Sequence, residues 1–294
     1  MNEIVPKTLY HYTSNRGLVG MIENQELWFS DMRFLNDSRE FKHVSDMIEA
    51  SVRRYADAHR QNWVDHGCSG DAFDQMVRNF RANCHDKALY ERVSKLGLPF
   101  IFSLSEGKDV LSQWRAYGNG EYCIGFDTAK LLELQNLQIL KVEYSDEGKG
   151  APELSDMLEW FFKYHLEHIH PDGTVDSEVS HDGLDDVLSR SSGSDLFFKH
   201  KNSAFQEEQE WRMVVRRGIE DKCIFFDANG RHPVPRFKVR SPTNENMLSK
   251  AITEIICGPG VEYERGSIAI ELMKRKTKCH NIQISRSIVP YRTN

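Results

Sequence analysis

Gln206-Glu207-Glu208-Gln209-Glu210-Trp211-Arg212-Met213-Val214-Val215 joins an acidic run directly to an apolar one. Trp-Arg-Met-Val-Val has the aromatic and β-branched character of a sheet element. If the strand begins ahead of Trp211, residues two apart share a face, and Glu208 and Glu210 stand side by side. Neighbouring carboxylates repel, an arrangement that is costly unless it serves chemistry. The plain alternative is a solvated acidic loop before an ordinary strand.

Two earlier stretches are similarly dense in functional side chains. Phe102-Ser103-Leu104-Ser105 reads as a buried strand with Ser103 and Ser105 on one face. A hydroxyl pair in an apolar strand needs hydrogen-bond partners, and a ligand is one way to supply them. A short helix over residues 109–117 follows, in which Trp114 and Tyr117 share a face at i, i+3. Such an aromatic pair serves equally as core or as a surface on which a ring stacks. Near the start, Tyr10-His11-Tyr12-Thr13 reads as a strand, with His11 facing opposite to Tyr10 and Tyr12.

Outward from these stretches, strands are expected at 27–29, 122–126, 138–144, 223–226, 252–257 and 282–284, with a helix after Gly258-Pro259-Gly260. Strands interleaved with helices, without a βαβ repeat, give an α+β class with a mixed sheet. The 294 residues suit a single elaborated domain, 1–294. Within it, residues 37–96 read as a polar helical lobe inserted after the second strand. Asp37-Ser38-Arg39-Glu40 resembles a capping box at its start, and Gly67 to Gly70 breaks it into two helices. Residues 148–198 read as an acidic, partly mobile insert with its tip at 171–183.

Apolar residues make up 39% of the chain, enough for a sizeable core, and the net charge of −6 argues against indiscriminate nucleic-acid binding. A local basic patch remains open through Arg212, Arg216, Arg217, Arg231, Arg236, Lys238 and Arg240. No run of about 18 apolar residues predicts a membrane span. The start of the chain shows no secretory pattern. The six cysteines lie at neither zinc nor redox spacing, so a cytoplasmic protein with reduced thiols is expected. No glycine-rich dinucleotide fingerprint, phosphate-binding loop or nucleophile elbow is present. His165, His168 and His170 suit a helix C-terminus better than a metal, and no metal is expected.

Taken in order, Tyr-His-Tyr-Thr, Phe-Ser-Leu-Ser with Trp-x-x-Tyr, Cys-Ile-Gly-Phe-Asp and Glu-x-Glu-Trp-Arg resemble a widespread bacterial domain family of unknown function. That family is in turn similar to the ADP-ribosyltransferase superfamily. The resemblance implies a split mixed β-sheet holding NAD in an open cleft. It implies catalytic roles for Glu210 and Glu208, with Glu210 beside the ribose and Glu208 serving the acceptor. It places His11, Tyr12, Thr13, Ser103, Trp114 and Tyr117 around NAD, with either Ser103 or Tyr117 as the middle member of the site. The pattern mixes two site types, since a Glu-x-Glu pair usually accompanies an arginine on the first strand, where this chain has His11. The expected activity is NAD-dependent ADP-ribosyl transfer to a macromolecular acceptor, protein or nucleic acid. Toxin, effector and antiviral defence roles are what the superfamily implies. An NAD glycohydrolase, or a non-catalytic nucleotide- or nucleic-acid-binding module on the same fold, are the alternatives.

Overall fold

In the computed structural model, which describes residues 4–35, 40–95, 97–134, 137–146, 152–166, 168–174, 191–228, 232–240 and 247–290, short β-prone segments alternate with amphipathic helices. The order is β1 (Thr8–Thr13), α1 (Asn15–Glu23), β2 (Glu26–Asp31), α2 (Glu40–Asp65), α3 (Gly70–Asn83), α4 (Asp86–Lys95), β3 (Leu98–Ser105) and α5 (Leu111–Ala116). Then come β4 (Tyr122–Asp127), α6 (Thr128–Leu132), β5 (Gln138–Lys141), β6 (Glu143–Ser145), α7 (Pro152–Leu166), α8 (Ser191–Lys199) and β7 (His200–Asn202). The chain closes with β8 (Glu210–Arg217), β9 (Ile224–Asp227), β10 (Val234–Arg240), α9 (Met247–Ala251), β11 (Ile252–Cys257), α10 (Tyr263–Thr277) and β12 (Gln283–Arg286).

The residues divide into two compact units. The first comprises Met1–Asn36, Pro99–Val142 and Ala204–Asn294. Its ten-stranded mixed sheet is mostly antiparallel and runs β12-β11-β4-β1-β3-β2-β10-β9, with β8 also on β3 and β5 on β8. β11 and β12 pair in parallel. The core lies along Leu9, Leu27, Phe29, Phe100, Phe102, Ile124, Phe126 and Met213, all fully buried or nearly so. Ser14 caps α1 by accepting from the Gly17 amide, which ends β1 and turns the chain.

β1 meets β3 through a single pair, Tyr10 opposite Ser105, whereas β2 meets it at Ser30–Ile101 and Asp31–Phe100. β1 and β2 thus take β3 at opposite ends, about four residues or 13 Å apart at strand rise. Ser103 lies between the two attachments.

The second unit comprises Asp37–Leu98 and Glu143–Ser203, so the stretches read as helical lobe and acidic insert fold together. Its core is aromatic: Trp63, Phe73, Phe80, Phe161 and Phe162 pack at ring separations of 4.6 to 6.3 Å. The lobe holds three helices rather than two, because the Cys84 amide closes back on the Arg81 carbonyl and ends α3. A buried ion pair of Lys201 with Glu40 (3.2 Å) joins β7 to α2. The capping residues Asp37 to Arg39, and the insert tip from residue 175 onward, lie outside the described residues. No described helix is long and apolar enough to cross a membrane.

Candidate active site

Alternation along β1 places Tyr10 and Tyr12 against the cluster of Trp114, Cys123 and Ile256, and His11 on the other face. His11 stacks on Phe102 at 4.1 Å, and its Nδ1 lies 2.8 Å from the Ser103 carbonyl. A carbonyl can only accept, so Nδ1 carries the proton and Nε2 is left as an acceptor. Burial pushes the imidazole down to about 4, opposed by the Ser103 hydrogen bond and reinforced by Arg236. His11 is therefore a neutral hydrogen-bonding group near neutral pH.

Glu208 ends a short 3-10 helix, Ser203–Glu208, and Glu210 begins β8. Between them Gln209 adopts a left-handed backbone (φ 44°), stabilised by its N–H donating to the Gln206 carbonyl and by its carbonyl accepting from the Glu106 N–H. Both glutamates are buried. Glu210 is held by a two-point fork from the fully buried Arg212 (2.9 and 3.0 Å). Strand alternation puts residues 210 and 212 on one face, so Glu210 has its own cation. Glu208 lies ahead of the strand, and the turn at Gln209 breaks the alternation expected to set the two carboxylates side by side. The Tyr117 hydroxyl donates to Glu208 Oε1 at 3.2 Å.

These groups meet in a niche of about 40 Å3 lined by Tyr10, His11, Tyr12, Ser103, Leu104, Ser105, Gln113, Tyr117, Glu208 and Glu210. It adjoins a pocket of about 460 Å3, within the usual size for a small-molecule site, and His11, Tyr12, Ser103 and Tyr117 line both. Thr13 lines the larger pocket. A still larger concavity of about 810 Å3, around Ser249, Glu254, Lys278 and His280, contains none of these residues, so volume alone does not choose the site.

Not every residue marked in the sequence arrives there as a ligand contact. Trp114 is fully buried in the core and lines neither cavity; its Nε1 donates to Asp109 (2.7 Å). Tyr117 parts from it because the helix stops at Ala116 and Tyr117 is extended (φ −129°, ψ 140°). The Tyr12 hydroxyl is committed, donating to Gly107 and accepting from Val110. The Ser105 hydroxyl donates to the Glu208 carbonyl at 2.7 Å and accepts from Gly107, which braces the glutamate segment and satisfies that hydroxyl without a ligand. Gly118 has φ +64°, and a Cβ there would lie 2.4 Å from the Thr13 backbone, so only glycine allows Tyr117 this approach to β1.

Several residues of the larger pocket were not among the site residues expected from sequence. Arg16 on α1 and Arg236 on β10 both bind Asp227 on β9, at 2.7 and 3.0 Å, and Trp28 lies under Arg16. Burial lowers the pKa of Arg236, Asp227 opposes that, and Arg16 adds to it. The strand β10 was not expected at all; Pro235 masks it, although Pro235, Phe237 and Val239 alternate as buried residues with Arg236, Lys238 and Arg240. That alternation was the available signal. Of the proposed basic patch, Arg212, Arg217, Arg236, Lys238 and Arg240 are all ion-paired within the unit, and Arg231 lies outside the described residues. Among the described residues no three His, Cys, Asp or Glu side chains converge as a metal site.

Residues 113–213 match the family described as a protein of unknown function, DUF2971. That segment carries Trp114, Tyr117, Glu208, Glu210 and Arg212, but not β1 with His11. No curated protein and no solved structure matches the chain.

Proposed function

We propose that this protein cleaves the nicotinamide–ribose bond of NAD and transfers ADP-ribose to a macromolecular acceptor. The observation that carries the reading is the convergence of His11, Ser103, Tyr117, Glu208 and Glu210 on one niche beside a nucleotide-sized pocket. The separate attachments of β1 and β2 on β3 support this reading, since a split sheet of the ADP-ribosyltransferase type requires two such strands to part.

The residue chemistry fits each stage. As the C–N bond breaks, nicotinamide leaves with the bonding electrons and positive charge develops on the ribose. A carboxylate already fixed by Arg212 stabilises that charge without having to reorganise, and it can accept from the 2′-hydroxyl. A carboxylate has about four acceptor sites, so a two-point fork does not saturate it. His11 Nε2 accepts from a ribose hydroxyl, and the Tyr117 ring offers a stacking face for nicotinamide. Glu208 takes the proton of the acceptor nucleophile as its atom bonds to C1′.

If water takes the acceptor's place, the same site is an NAD glycohydrolase. The internal pairing of most basic residues lends a general nucleic-acid-binding module less support. The test is incubation with NAD while following free nicotinamide, with and without cell extract as acceptor. Release that depends on extract marks a transferase, and release in buffer alone marks a hydrolase. Glu208→Gln is expected to spare hydrolysis and lower transfer. Absence of release under both conditions, with no thermal protection by NAD, overturns the reading.

A further inference from the structure

We propose that the β2–β10 end of the larger pocket binds a phosphate-bearing ligand, with the guanidinium groups of Arg16 and Arg236 as its anion receptors. Both arginines line the pocket together with Asp227, Ser30 and Trp28. They share one carboxylate: Arg16 Nη1 donates to Asp227 Oδ1 at 2.7 Å and Arg236 Nε to Oδ2 at 3.0 Å. Arg236 Nη1 also donates to Ser30 Oγ at 2.8 Å. A guanidinium has five N–H donors, so donors remain on both groups beyond these bonds.

The local charge supports an anion. The pocket's other carboxylate, Glu26, is bonded by Arg240 and lies 3.6 Å from Lys238. Arg240 and Lys238 lie outside the pocket lining and hold Glu26, so on the lining the Arg16 and Arg236 guanidinium groups share the Asp227 carboxylate. The Arg16 side chain is 47% exposed and Asp227 only 6%, so Arg16 can turn towards a ligand while Asp227 holds Arg236 in place. A diphosphate offers oxygens in several directions and can take charge-assisted bonds from two guanidinium forks at once. Asp227 acts as a stand-in anion that keeps the arginines close together before the ligand arrives.

The niche with His11 and the glutamates adjoins the same pocket. With the proposed NAD chemistry there, the diphosphate of the dinucleotide lies on the arginines. That ligand identity rests on the NAD reading; the anion site does not.

The experiment measures thermal shift and calorimetric binding with inorganic pyrophosphate, ADP-ribose, NAD and adenosine. Pyrophosphate and ADP-ribose are expected to stabilise the protein more than adenosine does. Arg16→Gln is expected to weaken both by about 10- to 100-fold, the scale of losing charged hydrogen bonds. Asp227→Asn should lower the melting temperature without ligand yet tighten pyrophosphate, a sign that a purely structural role for Asp227 does not produce. Pyrophosphate binding that depends on Arg16, without NAD or ADP-ribose binding, upholds the anion site and removes the NAD reading. NAD binding that is indifferent to Arg16→Gln and to competing pyrophosphate overturns the anion site and leaves that reading standing. No binding of either phosphate compound also overturns it.

Discussion

Replacing Glu210 by glutamine tests how the buried ion pair and the proposed chemistry depend on one another. Glutamine keeps one acceptor oxygen but turns an NH2 donor towards the guanidinium of Arg212, which is fully buried. Breaking one side of such a pair costs about 3–5 kcal/mol, because the buried guanidinium keeps its charge and loses the two-point fork to Glu210. For 294 residues at about 2.1 cal/mol/K each, the unfolding entropy is about 0.6 kcal/mol/K, so the melting temperature should fall by about 5–8 °C. The double variant Glu210→Gln/Arg212→Met removes both charges at similar volume and should recover most of that loss. Nicotinamide release should drop about 10²–10³-fold in both, since neither keeps the Glu210 carboxylate that meets the developing cation. Calorimetric melting and a nicotinamide assay on the same preparations separate the effects. A single variant that melts like wild type, or a double variant no more stable than the single, refutes the structural argument. Full activity in the double variant refutes the catalytic one.

Tyr117→Phe keeps the ring and removes the bond to Glu208, so stability should fall by about 1 kcal/mol, with transfer reduced more than NAD binding; an unchanged transfer rate would count against a role for that bond. His11 titrates near 4 when folded and near 6.5 when unfolded, so between these values the unfolded chain binds the extra proton. Its stabilising contribution is therefore present above about pH 6.5 and is lost as pH falls towards 4, up to about 3 kcal/mol. Urea unfolding across that range should show a shallower slope in His11→Gln; parallel slopes would remove the assignment. Gly118→Ala should destabilise by more than about 1 kcal/mol, because alanine meets both a positive φ and the Thr13 backbone; wild-type melting behaviour would show that the approach is not tight.

The sheet and its strands were largely legible in the chain, because burying one face of a strand imposes a period of two that needs no knowledge of neighbours. Residues 211–215, 122–126 and 252–257 stand out as apolar β-prone runs, and each lies within a strand. The opposition of His11 to Tyr10 and Tyr12 followed from the same period. What failed locally were boundaries and breaks. Tyr117 leaves its helix, Val142 divides a run read as one strand, and Pro235 masks β10.

Pairing across the fold is another matter, since it depends on register and on residues far apart in the chain. That Arg212 takes Glu210 and Tyr117 takes Glu208 follows from how β8 and the chain end after α5 meet around β3. The sharing of Asp227 by Arg16 and Arg236 needs α1, β9 and β10 in one place, 211 and 9 residues apart along the chain. Side-chain types along the chain determine which groups seek partners, through the cost of burying a charge or hydroxyl unpaired. Which partner each one finds is decided by tertiary structure alone, because hydrogen bonds and ion pairs act over a few ångströms and the sequence carries no distances.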